Sequence, residues 1–370
     1  MNRYKKAAQT LLKEAGIKIN GWKPWDIQVH NEDVYKRVFA EGSLGFGEAY
    51  MDGWWDAKAL DEFFNKVLGA SLEKKVHGKQ IILNALRARL FNMQTNERSK
   101  KVAQEHYDIG NDFYEKMLDS RMQYTCGYWK DTHNMEDAQR AKLDLVCKKL
   151  QLKPGEHVLE IGSGWGWFAR YAAENYGVTV TAYNISKEQV AYAREQCKGL
   201  PVEFKLEDYR NATGIYDKVA TIGVCEHIGY KNYRTFMEIT YRCLKPHGLF
   251  LVHTIGGNKS VTNTDAWIEK YIFPNSMLPS VKQLGKAAEG LFVMEDWHSF
   301  GAYYDKTLMA WYENFIKYWP QFEKQFGDKF KRMWTYYLLA SAGSFRARKN
   351  QLWQVIFSKD GVPGGYESIR

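Results

Sequence analysis

Residues Val158-Leu159-Glu160-Ile161-Gly162-Ser163-Gly164-Trp165-Gly166 join an apolar run that closes around an acidic residue to three alternating glycines. Pro154-Gly155 breaks the chain before this run, and Trp167 to Asn175 has helical composition, so the segment reads as a strand, a glycine loop and a helix. Glycine is needed where the backbone turns sharply and lies against a ligand with no Cβ between them. A dinucleotide site wants G-x-G-x-x-G, but Trp167 stands three residues after Gly164. No Gly-Lys-Ser/Thr follows either, which excludes a Walker phosphate loop. The spacing favours an S-adenosylmethionine (SAM) pocket over NAD or FAD.

A chain of 370 residues can bury a full α/β core and still carry a second small domain. No stretch approaches the roughly 20 apolar residues of a membrane span. The N-terminus, Met1-Asn2-Arg3-Tyr4-Lys5-Lys6, leads into an amphipathic pattern unlike a signal peptide, so the expected location is the cytosol. Cys126, Cys147, Cys197, Cys225 and Cys243 contain no C-x-x-C pair, which suggests reduced thiols with neither a disulfide framework nor a metal site. The net charge of +9 biases the surface towards anionic partners without choosing among nucleic acid, phospholipid headgroups and acidic protein. The 13 Trp and 24 Tyr suit a site that handles long apolar chains or a developing cation, and serve equally as extra core.

Lys5 to Gly16 has the pattern of an amphipathic helix stopped by glycine. A strand-like piece follows at Ile27 to His30. Asp33 to Leu68 is helical in pattern, broken at the Gly42–Gly47 cluster and again at Met51 to Trp55. These segments predict a small helical N-terminal domain over residues 1–95. Lys79 to Met93 repeats apolar residues at helical spacing and is followed by Arg98, Lys100 and Lys101, a pattern that suits either an anionic bilayer surface or an ordinary solvated helix. From about Lys101, strands alternate with helices, predicting a doubly wound sheet over residues 96–370. Its later strands are expected at Val178–Tyr183, Val202–Leu206, Tyr216–Gly223 and Gly248–Thr254.

Open α/β sheets bind ligands at the C-terminal ends of their strands. There the third strand leads to Asp208, a candidate partner for an adenine amino group, and Tyr209, a candidate aromatic wall. Glu226 after the fourth strand and His253 at the end of the fifth are the best pair for proton chemistry, because neighbouring strand ends can bring them together.

With these residues in place, the chain resembles the bacterial cyclopropane-fatty-acyl-phospholipid synthase family from about Ala15 to Phe357. The resemblance is carried by Glu105–Phe113, Met122–Trp129, Glu226-His227-Ile228-Gly229, His253-Thr254-Ile255-Gly256, Ala302-Tyr303-Tyr304-Asp305 and Thr307–Trp311. It implies a class I SAM-dependent methyltransferase, a Rossmann-like doubly wound sheet. The run Glu41 to Trp55 looks like the lipid-binding domain of the phospholipid-acting branch. The reaction implied is transfer of the SAM methyl to a cis double bond of a phospholipid acyl chain and closure of a cyclopropane ring, with bound bicarbonate as base. By motif match the Cys126 and Ile255 amides and the Glu226, His253 and Tyr304 side chains would cradle that anion. SAM contacts would come from Tyr124, Thr125, Glu160, Gly162, Ser163, Gly164, Gly166, Asn184, Gln189, Asp208 and Tyr209. The family pattern also implies a homodimer on the inner face of the cytoplasmic membrane, with anionic headgroups favoured.

Four positions, in three places, depart from the family pattern or from related enzymes. Asn184 stands where many SAM enzymes carry an acid for the ribose, Trp167 and Phe168 follow the glycine loop where small residues are usual, and Ser341 replaces a cysteine often seen. Three other readings compete, one of them a catalytically inactive lipid-binding protein, against which the complete glycine loop and cradle residues speak. A methyltransferase that stops before ring closure would change the cradle residues, which are intact here. An RNA methyltransferase would need an interleaved basic-aromatic module, and none is present, so nucleic acid is not an expected partner.

Overall fold

The computed structural model describes residues 3–75 and 109–370. The basic amphipathic segment from Lys79 to Lys101, and Glu105 to Asp108 of the first family motif, lie outside the described residues.

Among the described residues, the larger of two units comprises 109–261, 277–303 and 352–370. Its sheet contains seven strands: β1 (His157–Ile161), β2 (Thr179–Asn184), β3 (Val202–Leu206), β4 (Tyr216–Ile222), β5 (Leu244–Gly257), β6 (Phe292–Ser299) and β7 (Asn350–Lys359). They lie in the order β3-β2-β1-β4-β5-β7-β6, parallel from β3 to β5, with β6 and β7 antiparallel to each other. This is the doubly wound sheet the sequence implies, and the chain order reverses between β1 and β4, where such sheets bind ligands. Each expected strand is present within a few residues. β5 begins at Leu244, before the Gly248 expected, and runs on to Gly257, carrying Ile255 within the strand. Helices cover both faces: Val158 and Val180 meet Phe168 and Val190 on one, while Leu159 and Val219 meet Phe236 and Met237 on the other. Burial on both sides explains the near-continuous apolar runs of the central strands.

The second unit gathers the described N-terminal residues, 3–75, with 262–276 and 304–351. The expected division at residue 95 is therefore replaced by a composite unit, for a packing reason. The helix Glu323–Arg346, interrupted at Gly327, lies against Leu60–Gly69 so closely that a Cβ on Gly343 would stand 2.5 Å from the Asp61 carbonyl oxygen and 2.7 Å from Phe64 Cβ. Trp267 packs within 4.5 Å of the Tyr336 ring, and its Cδ1 would be 2.4 Å from a Cβ on Gly47. The glycine cluster also behaves differently from its expected role. Gly42 alone breaks the chain, at φ 64°, while Gly45 and Gly47 sit inside the helix Ser43–Met51. They allow close approach and do not act as turns. Arg346 locks this unit with a two-pronged contact to Asp305, 2.9 Å at each nitrogen, and bonds to Asp61 (2.7 Å) and Glu62 (3.1 Å).

Candidate active site

The loop after β1 is shaped by positive φ at Gly162 (79°), Gly164 (50°) and Gly166 (84°). Their surroundings differ. A Cβ on Gly162 would lie 2.3 Å from Val224 Cγ2, and one on Gly166 would lie 2.7 Å from Ala193 Cβ and 2.8 Å from Phe204 Cζ. At Gly164 a Cβ would meet nothing within 4 Å. Two glycines thus serve packing, and the middle one turns its bare backbone away from protein. The Gly162 and Ser163 amides donate to the Tyr183 carbonyl of β2 at 2.9 and 3.3 Å, which fixes the loop to the sheet.

Asn184, at the end of β2, donates to the Gly164 carbonyl and to Gln189 Oε1, each at 3.0 Å, and accepts from the Ser186 amide at 3.1 Å. Both amide hydrogens are spent on protein, so Asn184 holds the glycine loop and keeps acceptor capacity only on Oδ1. Gln189 is brought to the same place. Asp208 accepts from the Arg210 amide (2.9 Å) and guanidinium (2.8 Å). The Tyr209 ring packs on Phe236 with centroids 5.6 Å apart, and its buried hydroxyl makes no hydrogen bond. Phe168 belongs to the core under the sheet and Trp167 lies beneath the Arg170 guanidinium, so these bulky residues are absorbed by packing.

Glu160 is buried with one carboxylate oxygen unpartnered, and burial pushes its pKa up to about 8 against the pull of Lys142. Lys142 had no place in the sequence reading. It is fully buried, its ammonium depressed by burial, and it donates to Gln123 Oε1 and, at 3.0 Å, to Thr125 Oγ1. Gln139, one helical turn earlier, donates to the Thr125 carbonyl at 2.8 Å. These two polar residues on the inward face of the helix Met135–Lys149 clamp the irregular segment that carries Tyr124, Thr125 and Cys126. Their signal in the sequence was faint: two polar residues at i, i+3 interrupting an apolar face. Tyr124 meets the Tyr114 ring edge-on at 5.3 Å.

The second cluster lies at the ends of β4 and β5. Ile222 pairs with His253 in the ladder, and the chain leaves β4 into the short helix Cys225–Ile228. Glu226 Oε1 accepts a 2.6 Å hydrogen bond from the Ile255 amide, while Oε2 is buried and unpartnered. The Ile255 amide, expected to face an anion, is here committed to Glu226. Burial raises the Glu226 carboxyl to about 7, despite the Ile255 amide, its own backbone N–H and Thr254. His253 is held well below the usual imidazole pKa by burial and by Lys142 and Lys149. Gln354 Nε2 lies 3.3 Å from His253 Nδ1. An amide nitrogen only donates, so Nδ1 accepts and the ring proton sits on Nε2, which is buried with no partner. Cys126 is fully buried and its thiol donates to the Gly127 carbonyl at 3.2 Å. Tyr304 belongs to the other unit, where its ring stacks on Phe345 at 4.5 Å.

Comparison with known proteins gives the family. The family model for mycolic acid cyclopropane synthetase matches residues 94–355. The cyclopropane-fatty-acyl-phospholipid synthase of Escherichia coli is 53% identical over 370 residues, covering 100% of this chain and 97% of that one. Among solved structures, a cyclopropane synthase from Mycobacterium tuberculosis aligns with a TM-score of 0.67 at 26% identity, over 73% of this chain and all of that one. A mycolic acid cyclopropane synthase complexed with SAH and CTAB aligns at 0.65 and 29%, over 70% of this chain and 98% of that one. The chain belongs to the mycolic acid cyclopropane synthetase family, enzymes built on the fold of SAM-dependent methyltransferases.

Proposed function

We propose that this enzyme transfers the methyl of SAM to the cis double bond of an unsaturated phospholipid acyl chain and closes a cyclopropane ring. Full-length similarity to the E. coli phospholipid synthase supports the substrate, and the glycine loop with its bare middle residue supports SAM. Carbon balance is simple: the alkene gains CH3+ from the sulfonium and loses H+, a net gain of CH2. An alkene is a weak nucleophile, so the chain contributes chiefly by holding the two reactants in line and excluding water.

The observation that carries the reading is the pair of buried, unpartnered polar atoms at adjoining strand ends, Glu226 Oε2 and His253 Nε2. A neutral imidazole presenting Nε2–H and a carboxyl poised near neutrality are a donor set fitted to a small oxyanion. When bound there, bicarbonate would supply the base for the ring-closing proton. His253 would hold it through Nε2–H, the Cys126 amide would add a donor, and Glu226, held by Ile255, would be the proton-exchanging carboxyl. Tyr304 is assigned to this cradle by its motif alone.

Phospholipid as substrate also accounts for the positive net charge through anionic headgroups. No described helix is long and apolar enough to cross a membrane, which is compatible with peripheral association at the inner face. The dimer implied by the family resemblance belongs to the same proposal, with sedimentation velocity as its test. The deciding experiment for function incubates the protein with SAM and vesicles of cis-unsaturated phospholipid, followed by mass spectrometry and gas chromatography of the acyl chains. A gain of one CH2 with the retention of a cyclopropane standard is expected. Methyl-branched or methylene products would move the reading to a methyltransferase without ring closure, and unchanged lipid in the presence of bound SAM would overturn it.

A further inference from the structure

Trp22 is 83% exposed, whereas the other exposed large hydrophobic residues among those described range from 39% to 57%. Single exposed apolar side chains are ordinary, but the loop bearing this one is built in an unusual way. The Asn20 amide donates to the Ile27 carbonyl and Gln28 Nε2 to the Gly21 carbonyl, each at 2.7 Å. The Lys18 and Lys23 amides donate to the two oxygens of Asp26 at 2.8 and 3.0 Å, and the Ala59 amide donates to the Pro24 carbonyl at 2.7 Å. Packing is tight enough that a Cβ on Gly21 would stand 2.1 Å from Asp26 Oδ2. The loop is therefore braced from beneath, with many of its polar groups already bonded within the protein.

Charge is sorted in the same way. Asp26, the only acid between Lys18 and Ile27, is buried and turned inward, while Lys18, Trp22, Lys23 and Pro24 form the exposed side. Lys23 and Lys66 approach the Trp25 ring at 5.3 and 4.4 Å, adding a second cation beside the loop. A rigid tip with an indole at its crest, basic flanks and no outward acid matches the bilayer interface, where indoles settle at headgroup depth and lysines meet anionic phosphates. Pre-bonded backbone lowers the cost of leaving water, and rigidity lowers the entropy lost on docking.

We propose that the loop Lys18–Asp26 is a membrane-surface anchor that seats the Trp22 indole among the headgroups of an anionic phospholipid bilayer. This deepens the reading of phospholipid as substrate and rests on it.

The five native cysteines are buried, so a thiol introduced in the full chain as Trp22→Cys can be labelled selectively with an environment-sensitive fluorophore. On vesicles of phosphatidylglycerol and phosphatidylethanolamine, its emission should shift to the blue and be quenched by lipids carrying a headgroup-depth quencher. The same label at exposed Lys198, introduced as Lys198→Cys, should not respond. Trp22→Glu should weaken vesicle partitioning by about tenfold, with SAM affinity and turnover on detergent-dispersed phospholipid within about twofold of wild type and the melting temperature unchanged. An unshifted label at position 22 on vesicles that do bind the protein would overturn the anchor while leaving the substrate reading intact. A blue shift that follows protein concentration without vesicles would overturn it in favour of a second copy of the chain. Loss of product from dispersed and vesicular lipid alike in the wild type would remove the substrate reading, and the anchor with it.

Discussion

The 2.6 Å hydrogen bond from the Ile255 amide to Glu226 Oε1 ties the end of β5 to the helix that follows β4. It fixes one carboxylate oxygen and leaves the other with no hydrogen-bond partner. Glu226→Gln preserves the acceptor for Ile255 but cannot exchange a proton. Turnover should fall by about 10²-fold or more, with calorimetric SAM affinity changed by less than about tenfold. Full activity in this variant would remove Glu226 from the base assembly.

Burial also makes Glu226 a pH-dependent liability. Its pKa is raised from 4.5 to about 7 in the fold, so the native state holds the proton more tightly than the unfolded chain. Stability from the protonated form is fully present below about pH 4.5 and is lost as pH rises through about 7. The melting temperature of Glu226→Gln minus that of wild type should therefore increase across this window and level off above it. A difference independent of pH would mean that Glu226 does not titrate there.

Lys142 and Gln139 hold the segment that carries Tyr124, Thr125 and Cys126. Gln139→Leu strands the Thr125 carbonyl and should cost about 1–3 kcal/mol, read from urea denaturation. Lys142→Met releases Thr125 and Gln123 together, and its mark should be a rise in the KM for SAM of about tenfold with a smaller change in kcat. A fall in kcat alone would contradict this assignment.

The three loop glycines should respond differently to alanine. Gly166→Ala combines a left-handed φ with a clash against Phe204 and Ala193, and should cost well over 1 kcal/mol in thermal stability. Gly164→Ala meets no protein atom within 4 Å, so about 1 kcal/mol of backbone strain is expected, yet on the proposed SAM site SAH binding by calorimetry should drop steeply because the added methyl would stand between the loop and the ligand. Unimpaired binding would move the ligand away from Gly164.

In the composite unit, Arg346→Leu removes the bonds to Asp305, Asp61 and Glu62 at a partly exposed site, and a loss of about 1–2 kcal/mol is expected. Tyr304 adjoins Asp305 and stacks on Phe345, so turnover should fall with it, while Tyr304→Phe should lower turnover and leave stability near wild type. Cutting the chain at residue 95 would strip Phe64 from Gly343 and Gly47 from Trp267, so a truncation there tests folding before it tests lipid binding.

Local pattern was enough for the central strands, the alternating glycines and the helix starts, because period and turn chemistry act over a few residues. The placement of Glu226 and His253 at neighbouring strand ends was legible for the same reason, since strand and turn signals locate the ends of β4 and β5. The edge strand β6 escaped notice because its residues Val293, Met294 and Trp297 do not alternate cleanly, and exposure of Val293 and Met294 weakens the signal. Partners distant in the chain were decided by the tertiary fold. Only packing shows that Gly45 and Gly47 are contact glycines inside a helix, that Gly343 joins the C-terminal helix to the N-terminal residues, and that Ile255 spends its amide on Glu226. The sequence by itself determined the family and the sheet, since those follow from local periodicity and motif spacing. The tertiary structure decided which atoms remain unpartnered, how far burial shifts each charge, and which face carries Trp22, because these depend on neighbours that the chain meets only once it has folded.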